Sequence, residues 1–211
     1  MKAVLVNGSP HPKGCTYTAL MEVSDTLNAE GIETAHFWIG NKALSGCIGC
    51  MKCMEKRVCI FDDTVNEFLA IAGDYDAFVF GSPVHWGAAC GGMTSFMDRL
   101  FYADFCGRGN RFIYKPTAAV VSARRAGTTA TGDQMNKYFS LMQMPIVTSR
   151  YWNIVHGAKP EEVKKDLEGM QTMRFLSRNM AYFLRCIEAG KQLAVPRPQQ
   201  EEVVFTNFIR E

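Results

Sequence analysis

Short apolar runs alternate along this chain with longer segments in which apolar residues recur every three or four positions. Five runs have the length of buried strands: 3–6, 33–38, 75–80, 117–122 and 145–148, the last with an extension toward 155. The segments between them have helical spacing, at 16–30, 62–72, 93–105 and 133–142. This alternation predicts an α/β fold, a flavodoxin-like doubly wound five-stranded parallel sheet in the order 2-1-3-4-5 with helices on both faces.

The carboxyl-terminal part of the pattern predicts one long helix and a tail. The helix runs from about Pro160 to 189, because proline suits a first helical turn and Gly190 follows the last apolar position. We therefore expect one domain over 1–190, with a cysteine-rich loop inserted at 46–60. The tail 191–211 is interrupted by prolines and then apolar, so we expect it to dock on the domain or at an oligomer interface.

The bulk composition narrows the class of protein. Of 211 residues, 47% are hydrophobic, and Lys and Arg exceed Asp and Glu by only two (23 against 21). This near-balance gives no basis for a nucleic acid or a membrane surface as a partner. No apolar run approaches the roughly 18–20 residues of a membrane span. Because the first strand reaches Asn7-Gly8 too soon for a secretory segment, we expect a cytoplasmic protein.

Three unusual loops follow predicted strands 1, 3 and 4. Ligands of doubly wound sheets bind outside the carboxyl ends of the strands, where the strand order reverses. The first loop, 7–16, precedes a helix and offers hydroxyls, backbone N–H groups and a flexible glycine to an anion. It matches neither G-x-G-x-x-G nor the Walker A pattern, which favours a monophosphate. The alternatives are an ordinary strand-to-helix turn and a solvated Lys13. The candidate ligand residues are Ser9, His11, Lys13, Gly14, Cys15 and Thr16.

The second and third loops carry side chains that suit a flat ring system. The second loop offers Pro83, Val84, His85 and Trp86. Trp86 could instead be a core residue, and His85 is either a satisfied imidazole or a proton donor near a flavin or substrate. The third loop offers Ser122, Arg124 and Gly127. An arginine there faces the cofactor or an NADPH phosphate, or forms a surface ion pair.

Four of the eight cysteines form a compact C-x2-C-x2-C-x5-C run: Cys47, Cys50, Cys53 and Cys59. So short a segment can bring four thiolates to one centre, which is the ligand shell of an iron–sulfur cluster. Lys52, Lys56 and Arg57 would offset its negative charge. A [4Fe–4S] cluster, free thiols and structural zinc all stay open. Other cysteines are expected to be small buried hydrophobes: Cys90, Cys106 and Cys186.

Together these segments resemble a known family. Gly8-Ser9-Pro10 with 13–16, then 81–87, then 93–99, is similar to the NADPH-dependent FMN reductase superfamily, and within it to the iron–sulfur flavoprotein group. The resemblance covers roughly residues 1–190, with Cys15 and Cys90-Gly91-Gly92 as departures. It implies that FMN phosphate is held by Ser9, Lys13, Gly14, Cys15 and Thr16, and that the isoalloxazine is contacted by Pro83, Val84, His85 and Trp86. It also implies a homodimer or homotetramer in which each cysteine loop approaches a neighbour's flavin.

The predicted function is an FMN-dependent NAD(P)H oxidoreductase. FMN would take a hydride from NAD(P)H, or electrons from a ferredoxin-like donor, and a [4Fe–4S] cluster would pass them to an unidentified acceptor. One alternative is a flavodoxin-type carrier that turns over no small molecule. Another is a cluster-free quinone, nitro or azo reductase.

Overall fold

The computed structural model describes residues 1–209. The strands are β1 (Lys2–Asn7), β2 (Glu33–Trp38), β3 (Ala77–His85), β4 (Ala88–Ala89), β5 (Thr117–Ala123) and β6 (Ile154–His156). The helices are α1 (Cys15–Ala29), α2 (Cys53–Lys56), α3 (Thr64–Ile71), α4 (Gly91–Cys106), α5 (Thr128–Leu141), α6 (Pro160–Val163) and α7 (Leu167–Gln192).

The main sheet has the predicted topology. Its order is β2-β1-β3-β5-β6 with parallel pairing, while β4 pairs antiparallel with the end of β3. Leaving out the short β4, this is the order 2-1-3-4-5, so the flavodoxin-like prediction is confirmed. The strand order reverses between β1 and β3, and the carboxyl ends of both strands therefore open onto one edge.

Helices cover both faces of the sheet, as predicted. Along β1, Ala3 and Leu5 face α1 and α7, whereas Val4 and Val6 face α3, α4 and α5. This alternation follows from the two-residue repeat of a strand. The face covered by α3, α4 and α5 is rich in phenylalanine. There Phe68 of α3 packs edge-on against Phe96 of α4, with ring centroids 5.6 Å apart.

The third strand is longer than predicted. The predicted run ends at position 80, before Gly81-Ser82-Pro83, but β3 continues to His85. The pairing of β1 with β3 ends at Asn7 and Gly81, whereas β5 continues to pair as far as Pro83. Beyond Gly81 one side of β3 is therefore released from β1, and a proline is tolerated in a strand with an open side.

The fifth predicted strand, 145–148 with an extension toward 155, is divided into two short pieces. In the first piece Ile146 bridges to Thr117 of β5, and the N–H of Val147 donates to the carbonyl of Thr117 (2.8 Å). The regular strand is β6, which pairs with the other end of β5, from Val121 to Ala123.

Two predicted helices differ from the structure by three residues or more. Helix α5 begins at Thr128 rather than 133, and the last helix is divided because the side chain of Asp166 caps α7 by accepting the N–H of Gly169 (2.9 Å). Helix α7 passes through Gly190 to Gln192, since glycine permits a helix end without imposing one.

The tail lies largely against solvent in this single chain. Its apolar side chains Val203, Val204, Phe205, Phe208 and Ile209 are exposed. Gln200 bonds to Tyr114 and Gln143. Docking of the tail on a neighbouring subunit stays a prediction, and positions 210–211 fall outside the described residues. Across 1–209, no helix combines the length and the apolarity that crossing a bilayer requires.

Candidate functional site

The three loops meet at the carboxyl edge of the sheet. The N–H of Gly8 donates to the carbonyl of Gly81 (2.8 Å), which joins the ends of β1 and β3. The hydroxyls of Thr16 and Ser122 are 2.8 Å apart and join the first loop to the third. The third loop also packs on the second, because a Cβ added to Gly127 would lie 2.8 Å from the Cα of Gly87.

The first loop is held by side chains that the sequence analysis did not single out. Asn7 accepts the N–H of Ser9 (3.0 Å) and donates to the carbonyl of Pro12 (3.2 Å). The indole N–H of Trp38 donates to the carbonyl of Ser9 (2.7 Å). Both lie at the ends of adjacent strands, paired in register. The sequence signal that could have identified them is their position: Asn7 and Trp38 are a polar and an aromatic residue at the carboxyl ends of predicted strands.

This loop presents the amino end of α1 to an anion. The N-cap is Gly14, which has no side-chain oxygen to occupy the N–H groups of the first helical turn. Those groups and the helix dipole therefore stay available to a phosphate monoester. Ser9 is buried and its hydroxyl accepts the N–H of His11 (3.1 Å). Lys13 is exposed beside the same helix end.

Two predicted ligands are engaged elsewhere through their side chains. The thiol of Cys15 donates to the carbonyl of Gly157 (3.5 Å), and burial raises its pKa, so only its backbone faces the helix end. The buried hydroxyl of Thr16 is paired with Ser122. The phosphate-binding role of these residues stays a prediction.

Replacing Thr16 by valine tests the contact between the first and third loops. Valine has nearly the same shape, but it leaves the buried Ser122 hydroxyl without this partner, at a cost of about 1–3 kcal/mol in the free energy of unfolding. We expect FMN affinity to fall as well, because the loops are less firmly held. Urea unfolding of Thr16→Val, Ser122→Ala and the double variant measures the coupling. Strict additivity of the two single effects would contradict it.

The second loop forms a hairpin tip that holds Trp86 in solvent. Trp86 and Gly87 both have positive φ, 52° and 80°, as in the two-residue turns that join antiparallel strands. Positive φ is unusual for so large a residue. The indole is fully exposed, so the alternative of a core residue was wrong. Pro83 and Val84 are half-buried below it.

The remaining predicted site residues lie at the same edge. His85 is exposed at the end of β3, and its role as a proton donor stays a prediction. Arg124 is exposed and Gly127 is half-buried at φ 90°. The N–H of Ala89 donates to the side chain of Gln134 (3.1 Å), which ties the hairpin to α5.

The four cysteines of the compact run line one pocket. Cys47 and Cys50 are exposed, Cys59 is half-buried and Cys53 is buried. In the described part of the chain, no three His, Cys, Asp or Glu side chains are gathered as a metal-ligand set. Four thiols around one pocket nevertheless have the donor chemistry of an iron–sulfur or zinc centre. The metal assignment to Cys47, Cys50, Cys53 and Cys59 stays a prediction.

The cation at this pocket was missed by the sequence analysis. Lys52, Lys56 and Arg57 are exposed, whereas the buried Arg99 of α4 donates from Nε to Sγ of Cys59 (3.2 Å). The two residues are separated by 40 positions, so no local pattern indicates their contact.

The scattered cysteines differ from one another. Cys90 is buried as expected, and its thiol donates to the carbonyl of Gly8 (3.0 Å). Cys186 is exposed, so that prediction was wrong. Cys106 is only half-buried, so that prediction was also wrong. Burial raises the pKa of Cys53, and the neighbouring Cys106 thiol raises it further.

The fold defines a flavodoxin-like α/β protein, with a candidate anion site at the switch point of its sheet. The model of the family described as NADPH-dependent FMN reductase matches residues 1–159, and the chain belongs to that family. An iron-sulfur flavoprotein of Methanocaldococcus jannaschii is 31% identical over 193 residues, covering 89% of this chain and 100% of that protein.

Solved structures agree on the fold. RosB, with a bound intermediate described as 8-demethyl-8-formylriboflavin-5'-phosphate, matches with a TM-score of 0.68 at 14% identity, over 99% of this chain and 92% of that one. A flavodoxin from the domain Archaea matches with a TM-score of 0.58 at 13% identity, over 88% and 99% of the two chains. The family assignment confirms the resemblance seen in the sequence and supports FMN as cofactor and oxidoreduction as the class of activity.

Proposed function

We propose that this protein is an FMN-dependent oxidoreductase that moves electrons from NAD(P)H or a ferredoxin-like donor through FMN and a [4Fe–4S] cluster to an acceptor. The observation that carries the proposal is the closure of three loops around the uncapped amino end of α1, at the edge where the strand order reverses. The name of the M. jannaschii relative and the four thiols around one pocket support the cluster.

The residues at this edge would bind and orient FMN. The first-turn N–H groups of α1 and the hydroxyl of Ser9 would bind the phosphate, and Lys13 would contribute charge. The hairpin and the third loop would flank the ring system, with Val84 and Trp86 as its apolar contacts. When bound, FMN supplies the hydride and single-electron chemistry. The chain positions it and excludes water from one side.

A cluster-free flavin reductase acting on quinone, nitro or azo compounds is a second candidate. It is favoured by the spacing of the thiols, because no three of them are gathered as metal ligands within residues 1–209. In that case the four cysteines would be free thiols, and the flavin would deliver electrons directly to a small acceptor.

An absorption spectrum of protein purified without oxygen tests both candidates. The leading proposal predicts flavin bands, a broad shoulder that dithionite bleaches, and about four iron and four sulfide per chain. Flavin bleaching by NAD(P)H would distinguish an enzyme using that donor from a carrier. Flavin without iron or sulfide would favour the cluster-free reductase. Colourless protein that refuses micromolar FMN would overturn the flavin assignment itself.

The partners form part of the same proposal. We expect a homodimer or homotetramer, a nicotinamide or ferredoxin-like donor, and no nucleic acid or membrane partner, in the cytoplasm. Three apolar side chains that line the cysteine pocket are exposed: Ile48, Met51 and Ile60. Exposed apolar side chains that cluster in this way are typical of an interface. Light scattering after size-exclusion chromatography measures the assembly, and a monomer at micromolar concentration would contradict it.

A further inference from the structure

Arg99 is the largest fully buried side chain in the described part of the protein, and the exposed fraction of the residue is 1%. An arginine that is this deeply buried requires partners for all its donors. Nε donates to Sγ of Cys59 (3.2 Å). Nη1 and Nη2 donate to the two carboxylate oxygens of Asp63 (2.7 and 2.9 Å). The remaining N–H groups face the carbonyls of Ser45 (3.4 Å) and Phe61 (3.3 Å).

These contacts close the cysteine-rich loop on one guanidinium. Ser45 immediately precedes the loop 46–60, and Cys59 and Phe61 lie at its other end. The guanidinium also lies 4.8 Å from the centroid of the Phe61 ring. Helix α4 thus presents a fixed positive charge to one candidate ligand while holding both ends of the loop that carries the other three.

Asp63 keeps this charge in place and partly cancels it. Its carboxylate forms a bidentate pair with Arg99 and also caps α3 by accepting the N–H of Val65 (3.1 Å). A bidentate arginine–carboxylate pair fixes orientation as well as charge. The Nε donor of Arg99 is therefore oriented toward Cys59 by a partner that does not itself contact the thiol.

We propose that Arg99 is a positioning residue that sets the reduction potential of the centre held by the four cysteines, with Asp63 acting against it. This inference rests on the proposed function, because it needs a cluster at the cysteine pocket. A charged N–H directed at a ligand sulfur favours the more negative, reduced form of a cluster, since hydrogen bonds to the sulfurs and net charge both tune its potential. Removing Arg99 therefore lowers the potential, and removing the charge of Asp63 raises it.

The experiment compares Arg99→Gln, Asp63→Asn and the double variant as anaerobically prepared holoproteins. Iron and sulfide are counted, and the cluster potential is measured by EPR-monitored redox titration, with the flavin potential of the same sample as internal reference. Arg99→Gln should disfavour one-electron reduction of the cluster by about tenfold, which is a shift of about −59 mV. Asp63→Asn should shift it in the opposite direction, because asparagine keeps the helix cap and leaves Arg99 uncancelled.

The double variant and a control distinguish an effect of charge from an effect of misfolding. Arg99→Gln alone leaves a carboxylate without its partner, whereas the double variant removes both charges together and should return the potential toward that of the wild type. Arg111→Gln is the matched control, because it removes the charge of an arginine that pairs with Asp104 of α4 (2.7 Å) rather than with a thiol. It should leave the potential unchanged.

A purely structural role for Arg99 would reduce iron occupancy without shifts of opposite sign. Equal cluster potentials in the wild type and the variants would overturn the inference and leave the proposed function intact. Wild-type protein with FMN but without iron and sulfide would overturn both the cluster and the inference.

Discussion

Replacing Cys50 with serine is expected to remove iron and acid-labile sulfide from the protein while FMN stays bound. Cys50 is exposed on the wall of the cysteine pocket, where a hydroxyl occupies the same space with little strain. Serine is a poor substitute for the thiolate that an iron–sulfur cluster needs. The loss should be close to complete, because the compact run supplies only the four ligands that the cluster requires.

Flavin binding should survive this change because the two sites lie at different points along α4. Met93 of that helix lies against Gly8 at the flavin edge, and Arg99 lies six residues later at the cysteine pocket. Six residues of helix separate positions by about 9 Å along the axis. The comparison of FMN content and iron content in Cys50→Ser therefore reports on each site separately.

Cys186→Ser is the matched control for this experiment. Cys186 is also exposed, but it lies on α7 and not in the cysteine pocket. Its variant should keep both FMN and iron. If Cys50→Ser lost FMN together with iron, the loop would be a structural support of the flavin edge. If it kept a full complement of iron, Cys50 would not be a ligand.

The fold was predictable from the sequence because each regular element carries its own local signal. The end of β2 is aromatic, and β5 consists of β-branched and small residues, both of which favour a strand. The errors occur where a long-range contact decides the outcome. Pro83 reads as a strand breaker, but pairing with β5 holds it in β3. The segment 145–148 reads as a strand, yet it forms a single bridge to β5, between Ile146 and Thr117.

The candidate site likewise has a part that was predictable from the sequence and a part that was not. Its loops were predictable, because residues after parallel strands must meet at one edge of the sheet. Two of the side chains that hold those loops were not predictable, because they come from distant positions. Trp38 bonds to the first loop from 29 residues away, and Arg99 reaches Cys59 across 40. Such contacts depend on the order of the strands and on helix packing. The residue pattern within a single helix or strand does not reveal either of them.

Gly127→Ala is expected to lower the affinity for FMN by at least about tenfold, which is more than we expect from Thr16→Val. Gly127 has φ 90°, which costs a residue with a Cβ about 1–2 kcal/mol. The added methyl carbon would also lie 2.8 Å from both the Cα of Gly87 and Cγ1 of Val84. Because one of these neighbours is backbone, side-chain rotation alone cannot relieve the contact. The third loop must move away from the hairpin that would flank the flavin ring.

The chain contains a matched control for this substitution on the same helix. Gly132 lies within α5, and a Cβ added there would meet nothing within 4 Å. Gly132→Ala should therefore raise the free energy of unfolding by about 0.5–1 kcal/mol, through helix propensity and reduced freedom of the unfolded chain, and leave FMN affinity unchanged. Fluorescence titration with FMN and urea unfolding measure both quantities. Equal FMN affinity in the two variants would mean that contact between the third loop and the hairpin does not shape the flavin site.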